Sequence, residues 1–182
     1  MSSTSALRTC AIALAALLAA GCATLSEEDC HVGDWYRIGL ADGRAGASSE
    51  RIAKHIEACA EHGVSIDREQ YAAGRVDGLQ HYCTKANGFR VGRDGFGYAN
   101  ACPASRESEF LAGYGLGQRF HVVDRELARI DVDLRNYRQR LGDDSLSDEQ
   151  RNRIESVLRD LESQRWRAEG EYRRLEWELR EF

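Results

Sequence analysis

"DWYRIGLADGRAG" (residues 34–46) places Gly39, Gly43 and Gly46 in a stretch that otherwise reads as a helix. The rhythm returns in "YAAGRVDGL" (71–79), "FRVGRDGFG" (89–97) and "FLAGYGLG" (110–117), each an aromatic residue with glycine three positions later. A glycine inside a helix costs roughly 1 kcal/mol relative to alanine. A soluble domain repeats that cost only where packing offsets it. Gly39/Gly43, Gly74/Gly78 and Gly113/Gly117 stand four apart, on one face of a helix. There they are expected to let backbones approach closely, with neighbouring aromatics filling the space beside them. The stretch therefore predicts a small, tight, all-α domain.

Three other readings fail on particular residues. A transmembrane glycine zipper is interrupted by Arg37, Asp42, Arg44, Arg75 and Asp77. A β-hairpin repeat fits the helix-like flanks of Tyr71–Gly74 poorly. "GYGLG" (113–117) has neither a preceding strand nor the lysine of a phosphate-binding loop.

Fourteen of the 17 glycines lie between Gly33 and Gly117, so the chain changes character near residue 118. Before that point, short helices are expected near 34–45, 49–62 and 67–83, then an irregular loop over 84–102. Ser48 or Ser49 suits the cap of the second helix and Asp67 that of the third. Gly63 is placed to end the second in a left-handed conformation. Pro103, the sole proline, precedes a helix with Glu107 and Glu109 near its first turn.

From Phe120 the apolar spacing alternates three and four: Phe120, Val123, Leu127, Ile130, Leu134, Tyr137, Leu141. "GDDS" (142–145) breaks it, and Ser147 with Gln150 forms a capping box. A second seam runs Ile154, Leu158, Leu161, Arg165, Ala168, Tyr172, Leu175, Leu179, Phe182. Two seams joined by a short turn predict a long, coiled-coil-like antiparallel hairpin; the alternative is one long helix that dimerises. The chain thus divides into 1–21, 22–33, 34–120 (the Gly/Cys-rich helical domain) and 121–182 (the hairpin).

The opening segment supplies an address. Cys10–Ala20 is apolar, too short for the ~20 residues of a membrane span but suited to a secretory signal, with Arg8 before it. Leu18-Ala19-Ala20-Gly21-Cys22 resembles the lipobox of bacterial lipoproteins, with leucine one place earlier than that pattern prefers. The resemblance implies cleavage after Gly21 and acyl chains on Cys22, each buried CH₂ contributing about 0.8 kcal/mol of anchoring. The alternative is an ordinary signal peptide, with Cys22 a plain thiol. Ala23 rather than aspartate follows Cys22, and by analogy with lipoprotein sorting this implies an outer-membrane lipoprotein facing the periplasm.

The chain carries 25 basic and 30 acidic residues, and only Arg8 among them leaves with the signal. No basic patch suits nucleic acid. With Cys10 removed and Cys22 acylated, Cys30, Cys59, Cys83 and Cys102 form an even set, expected as two disulfides in an oxidising compartment. Three pairings are open. A metal reading rests on His55 four before Cys59 and His81 two before Cys83, but no CxxC or HExxH pattern supports it. If 34–45 and 49–62 form an antiparallel pair, Cys30 and Cys59 meet at one end. Cys83 and Cys102 bracket the expected loop, which completes the expected pairs Cys30–Cys59 and Cys83–Cys102.

Together, "CHVGDWYRIGLADGRAG", "RIAKHIEACAEHGVSIDREQYAAGRVDGLQHYC", "NGFRVGRDGFGYANACP" and "ESEFLAGYGLG" resemble the bacterial lipoprotein family called domain of unknown function 2799. The resemblance covers roughly residues 30–120, with all four cysteines. It implies a secreted, lipidated domain and brings no activity, cofactor or catalytic residue with it.

No GxSxG, nucleophile–base pair or ligand set is legible among His31, His55, His62, His81 and His121. No catalytic residue, metal or cofactor is therefore expected. The leading expectation is a non-catalytic envelope lipoprotein acting as tether, scaffold or partner-binding protein, anchored to the membrane by its lipid. The alternative is a binding module for an envelope glycan or peptide, using surfaces around Trp35, Asp42, Tyr71 and Asp77. Trp166 and Trp177 fall outside the seam and share a face with Gly170 and Arg173. With Leu141 opposite Ser147, Trp177 is expected near Leu111, packed on the Gly-rich domain, and Trp166 near Val122, as the partner anchor. Metabolic labelling with a fatty acid is expected to mark the wild type and not Cys22→Ala, which leaves the membrane fraction; equal labelling contradicts the anchor.

Overall fold

A computed structural model describes residues 24–181, as seven helices and no strand. The expected signal, Cys22 and the last seam residue Phe182 lie outside the described residues. Two compact units divide the fold: one ends at His81 and includes Ala99–Ala101, and the other takes Tyr82–Tyr98 and resumes at Cys102.

In the first unit α1 is Glu27–Val32, a helix that the sequence reading left within the linker 22–33. Ser26 starts it through a capping box with Asp29, which satisfies two otherwise orphan N–H groups. α2 (Trp35–Ala45) starts on the Asp34 carboxylate and ends at Gly46, whose φ is +66°. α3 is Arg51–Ala60 and α4 is Arg68–Tyr82. Asp67 accepts from Glu69 and Gln70 N–H as expected. Ser48 and Ser49 supply no side-chain cap, because the residue before α3 is Glu50, itself helical in conformation.

α2 and α4 cross at their glycines. A Cβ placed on Gly39 would stand within 3.0 Å of the Tyr71 carbonyl oxygen, and one on Gly74 equally close to that of Tyr36. Gly43 meets the Arg75 carbonyl and Gly78 that of Leu40 in the same way. Every glycine therefore faces the carbonyl three residues before a glycine of the other helix. Residue numbers rise together along both helices, so α2 and α4 run parallel. The proximity also suits weak Cα–H···O contacts.

The second unit repeats this plan. α5 is Lys85–Arg93 and α6 is Ala104–Leu141. Gly88 meets the Phe110 carbonyl, Gly92 that of Tyr114, Gly113 that of Lys85 and Gly117 that of Phe89. The expected loop 84–102 is thus corrected: its first half is a helix. Thr84 caps it by accepting from Asn87 N–H, and its two glycines are spent on the crossing.

Each unit has its own disulfide, in the expected pairs Cys30–Cys59 and Cys83–Cys102. The first lies buried with Trp35 and Tyr71. Beside the second, the Tyr98 hydroxyl accepts from Cys102 N–H and donates to Glu107. Tyr82, Tyr98 and Tyr114 gather round the fully buried Phe110.

α7 (Asp148–Arg180) returns antiparallel along α6, as the hairpin expectation required. Ser147 and Gln150 form the expected capping box. Ile130, Leu134, Ile154, Leu158 and Leu161 make one buried cluster, and Leu116, Phe120 and Leu175 another. Arg119 bonds Glu178 and Asp131 pairs with Arg165, so Trp177 lies level with Arg119 rather than Leu111. Trp166 is likewise level with Asp131 rather than Val122. This register is corrected because the turn after Leu141 runs on along the hairpin axis before α7 begins.

The expected division at residue 120 falls inside α6, which continues without a break from the glycine crossing into the hairpin. Leu175, at 0 % exposure, covers Leu116 and Phe120, so the hairpin's base belongs to the core of the second unit.

Gly39→Ala and Gly88→Ala are expected to lower stability by about 1–3 kcal/mol, as overpacking outweighs the helix-propensity gain. Gly115→Ala, with nothing within 4 Å of its Cβ, is expected to raise it by up to about 1 kcal/mol. Urea denaturation of the three variants checks the contrast in sign.

Candidate functional site

Two features stand apart from ordinary packing, one in each unit. The first is a buried hydrogen-bond chain. His55 lies on the face of α3 that also carries Ile52 and Cys59, and it is 1 % exposed. Its Nε2 lies 2.8 Å from Asp42 Oδ2, and its Nδ1 lies 2.7 Å from Thr24 Oγ1. A carboxylate only accepts, so Nε2–H donates to Asp42, and Nδ1 shares the second hydrogen bond with the Thr24 hydroxyl. The Tyr71 hydroxyl donates to the same Asp42 oxygen at 2.7 Å. Arg51 Nε stands 3.9 Å from the other oxygen.

This is a hydroxyl–imidazole–carboxylate sequence, the order of groups that activates a nucleophile. Here its members also close a structural loop. Thr24 ties the segment before α1 to α3, while Asp42 and Tyr71 tie α2 to α4. A shallow pocket of about 180 Å³ opens beside it, lined among others by Thr24, Arg37, Asp42, Arg51 and His55. Burial, with donation to Asp42, pushes the Tyr71 hydroxyl well above the ordinary tyrosine range.

Sequence reasoning missed this chain. Its one local signal was a histidine in phase with Ile52 and Cys59, a buried polar group that requires partners. Those partners come from three other places in the sequence. Trp35 and Tyr71, expected to form a ligand surface, are 6 % and 2 % exposed and belong to the core. Asp77 accepts from the Tyr36 hydroxyl, and Asp42 is committed to His55 and Tyr71. The four residues therefore present no shared aromatic surface.

The second feature is the outer face of α7. Trp166 is 69 % exposed and Trp177 is 60 % exposed. Trp177 follows the buried Leu175 by two residues and Trp166 precedes it by nine. Both spacings are half a turn out of phase, so both indoles point away from α6. The expected packing of Trp177 is thereby corrected: its position on the helix opposes the seam. Between the two lies Gly170, where a Cβ would meet the Arg173 guanidinium at an ordinary 3.9 Å. Unlike the eight glycines of the crossings, Gly170 has no backbone of another helix within 4 Å of its Cβ position among the described residues. Cys30, Cys59, Cys83 and Cys102 are joined in disulfides, and no group of metal-ligating side chains occurs among the described residues. Among those residues no helix is long and apolar enough to cross a membrane.

Residues 34–119 match the model of a family described as "Protein of unknown function (DUF2799)". That segment begins at the cap of α2 and ends within α6, so it holds both glycine crossings. Comparison with curated proteins and with solved structures gives no match.

Removing the imidazole in His55→Ala leaves Asp42 short of a partner and opens a cavity, an expected loss of about 2–4 kcal/mol read from urea denaturation. Alkaline pH is expected to act through Tyr71. Its folded pKa lies above the unfolded value of about 10, so its contribution is complete below pH ~10 and is lost as the pH rises beyond it. Phenolate absorbance and helicity followed together check this: Tyr71→Phe flattens the alkaline loss.

Proposed function

We propose that this chain, which carries a DUF2799 domain over residues 34–119, is a lipid-anchored envelope protein that holds a partner on its C-terminal hairpin. It faces the periplasm from the outer membrane and works as a scaffold or tether, by binding rather than by catalysis. The observation that carries this reading is the outward pair Trp166 and Trp177. Tryptophan is among the residue types enriched at binding hot spots. Two of them at three helical turns' spacing on the outer face of α7 leave large apolar surface unspent.

The buried chain in the first unit suits the anchoring half of the proposal. Thr24 bonds the sealed His55 ring, and Cys22 stands two residues before it. Two residues span at most ~7 Å. A lipid on Cys22 would therefore be joined to the folded unit with almost no slack. In this reading the Thr24 hydroxyl is a fastening, and the imidazole and Asp42 keep it in place.

Photo-crosslinking in living cells tests the partner-holding face. A crosslinking residue at position 166 or 177 is expected to give a discrete adduct, while one at Asn152, beyond the tryptophan pair toward the turn, gives none. Absence of an adduct at both tryptophan positions contradicts the proposal.

A further inference from the structure

The pocket beside Thr24 is small and carries both signs of charge. Its volume is about 180 Å³, below the ~300 Å³ at which ordinary small-molecule pockets begin. A glycan chain or a peptide needs more room; a compact polar group fits. Arg37 and Arg51 stand on its wall together with Asp29 and Asp42. We infer that this pocket binds the headgroup of a membrane phospholipid that ends in a primary amine, with the phosphate on Arg37 and Arg51 and the ammonium on Asp29. The inference rests on the reading of Cys22 as lipid-anchored, and it adds a second contact between the same unit and the bilayer.

The phosphate half follows from the arginines. Arg51 Nε is buried without a hydrogen-bond partner, and Asp42 Oδ1, at 3.9 Å, is too far away to accept from it. The other oxygen of Asp42 is engaged by His55 and Tyr71. Arg37 lies exposed and donates its Nε–H to Asp34. Two guanidiniums at one pocket, one of them under-bonded, suit an oxyanion with several acceptor oxygens. The ammonium half follows from Asp29. Ser26 engages its Oδ2 in the capping box, and Oδ1 is left to accept. Hydrogen bonds from Ser26, with the Arg37 charge nearby, hold the Asp29 carboxyl below the usual carboxylate range, so it is ionised at neutral pH.

A simple anion is repelled by Asp29, and a simple cation by the two arginines. A group with phosphate and ammonium a few bonds apart satisfies both signs. No phenyl, phenol or indole ring lines the pocket among the described residues, whereas quaternary ammonium groups are recognised by aromatic cages. A primary ammonium, with three N–H donors, suits a carboxylate. The chemistry therefore favours an ethanolamine headgroup over a choline one. Position selects the source. Thr24 is part of the pocket's wall, and Cys22 stands at most ~7 Å along the chain from it. A lipid on Cys22 brings the pocket to the depth of the headgroups, where effective concentrations are on the order of millimolar. A shallow site that holds a free molecule weakly is filled there.

Reconstitution of the full chain in vesicles of equal parts phosphatidylethanolamine and phosphatidylcholine tests the inference. A photo-crosslinking residue replaces Ala41, which is exposed and lines the pocket. Mass spectrometry of the adduct is expected to find the ethanolamine lipid in excess on the order of tenfold. Free phosphoethanolamine in excess is expected to lower the adduct, and inorganic phosphate at the same concentration to leave it. Arg37→Gln and Asp29→Asn, the latter keeping an oxygen for the Ser26 cap, are each expected to remove most of the preference. Helicity and both disulfides stay unchanged in both. Equal labelling of the two lipids means that the anchor alone brings the pocket to the membrane, and overturns the inference while the anchor stands. Inorganic phosphate competing as well as phosphoethanolamine marks a plain anion site and overturns it too. So does an unchanged preference in both variants, or no lipid adduct on a chain that carries fatty acid at Cys22. A chain without fatty acid at Cys22 removes the anchor reading, and the inference falls with it.

Discussion

In both units a backbone carbonyl of one helix lies where a side chain of its neighbour would have to stand. The rest of the structure depends on that constraint. Because Gly39, Gly43, Gly74 and Gly78 present no Cβ, α2 and α4 run in contact along their backbones. Because they run parallel, the chain must return between them, and α3 is that return. Cys59 on α3 then meets Cys30, and His55 on α3 meets Asp42 on α2. The buried polar chain is a consequence of the crossing: with little apolar side-chain volume between the helices, specificity falls to hydrogen bonds around the edge.

The second unit solves the same problem with different material. Its two glycine helices are joined through the shorter irregular segment 94–103, and aromatic rings rather than an imidazole–carboxylate pair flank the crossing. The rings of Phe110, Tyr98 and Tyr114 pack against one another beside it. The two units match in the order cysteine, glycine helix, return, cysteine, glycine helix, and in the reciprocal carbonyl contacts. They differ in what fills the margin. α6 then extends into the hairpin, where ordinary apolar seams take over and Leu175 seals the join.

The local rules were legible where one helix turn carried the whole signal. The glycine spacing, the capping box at Ser147, the apolar seams and the Asp67 cap are all short-range patterns, and they stand in the structure, except that Arg165, read into the second seam, lies exposed and pairs with Asp131. The helix over Lys85–Arg93 was not legible because four glycines and asparagine between 84 and 97 argue against a helix until α6 is known to lie against it. The hairpin register escaped for a related reason. Seams repeat every seven residues, so a slide of about one heptad preserves the apolar match, and cross-helix polar pairs such as Arg119–Glu178, Asp131–Arg165 and Arg138–Glu162 choose between alternatives. The hydrogen-bond chain on His55 needed contacts across 13 to 31 residues, which no local pattern encodes. The outward tryptophans were read as lying off the seam, and they do; the packing expected for Trp177 followed from the wrong register.

α6 holds 38 residues in one run, a rod of roughly 57 Å at 1.5 Å per residue. One end of it is clasped backbone to backbone by α5, and the other carries the tip of the hairpin. No hinge separates these ends. A lateral load applied near the turn at residues 142–147 is therefore borne at the glycine clasp as a bending moment, with most of the rod's length as lever arm. The clasp resists it through main-chain contact and the Cys83–Cys102 bond, which have less give than interdigitated side chains. Mechanically, the second unit is a cantilever with a stiff root.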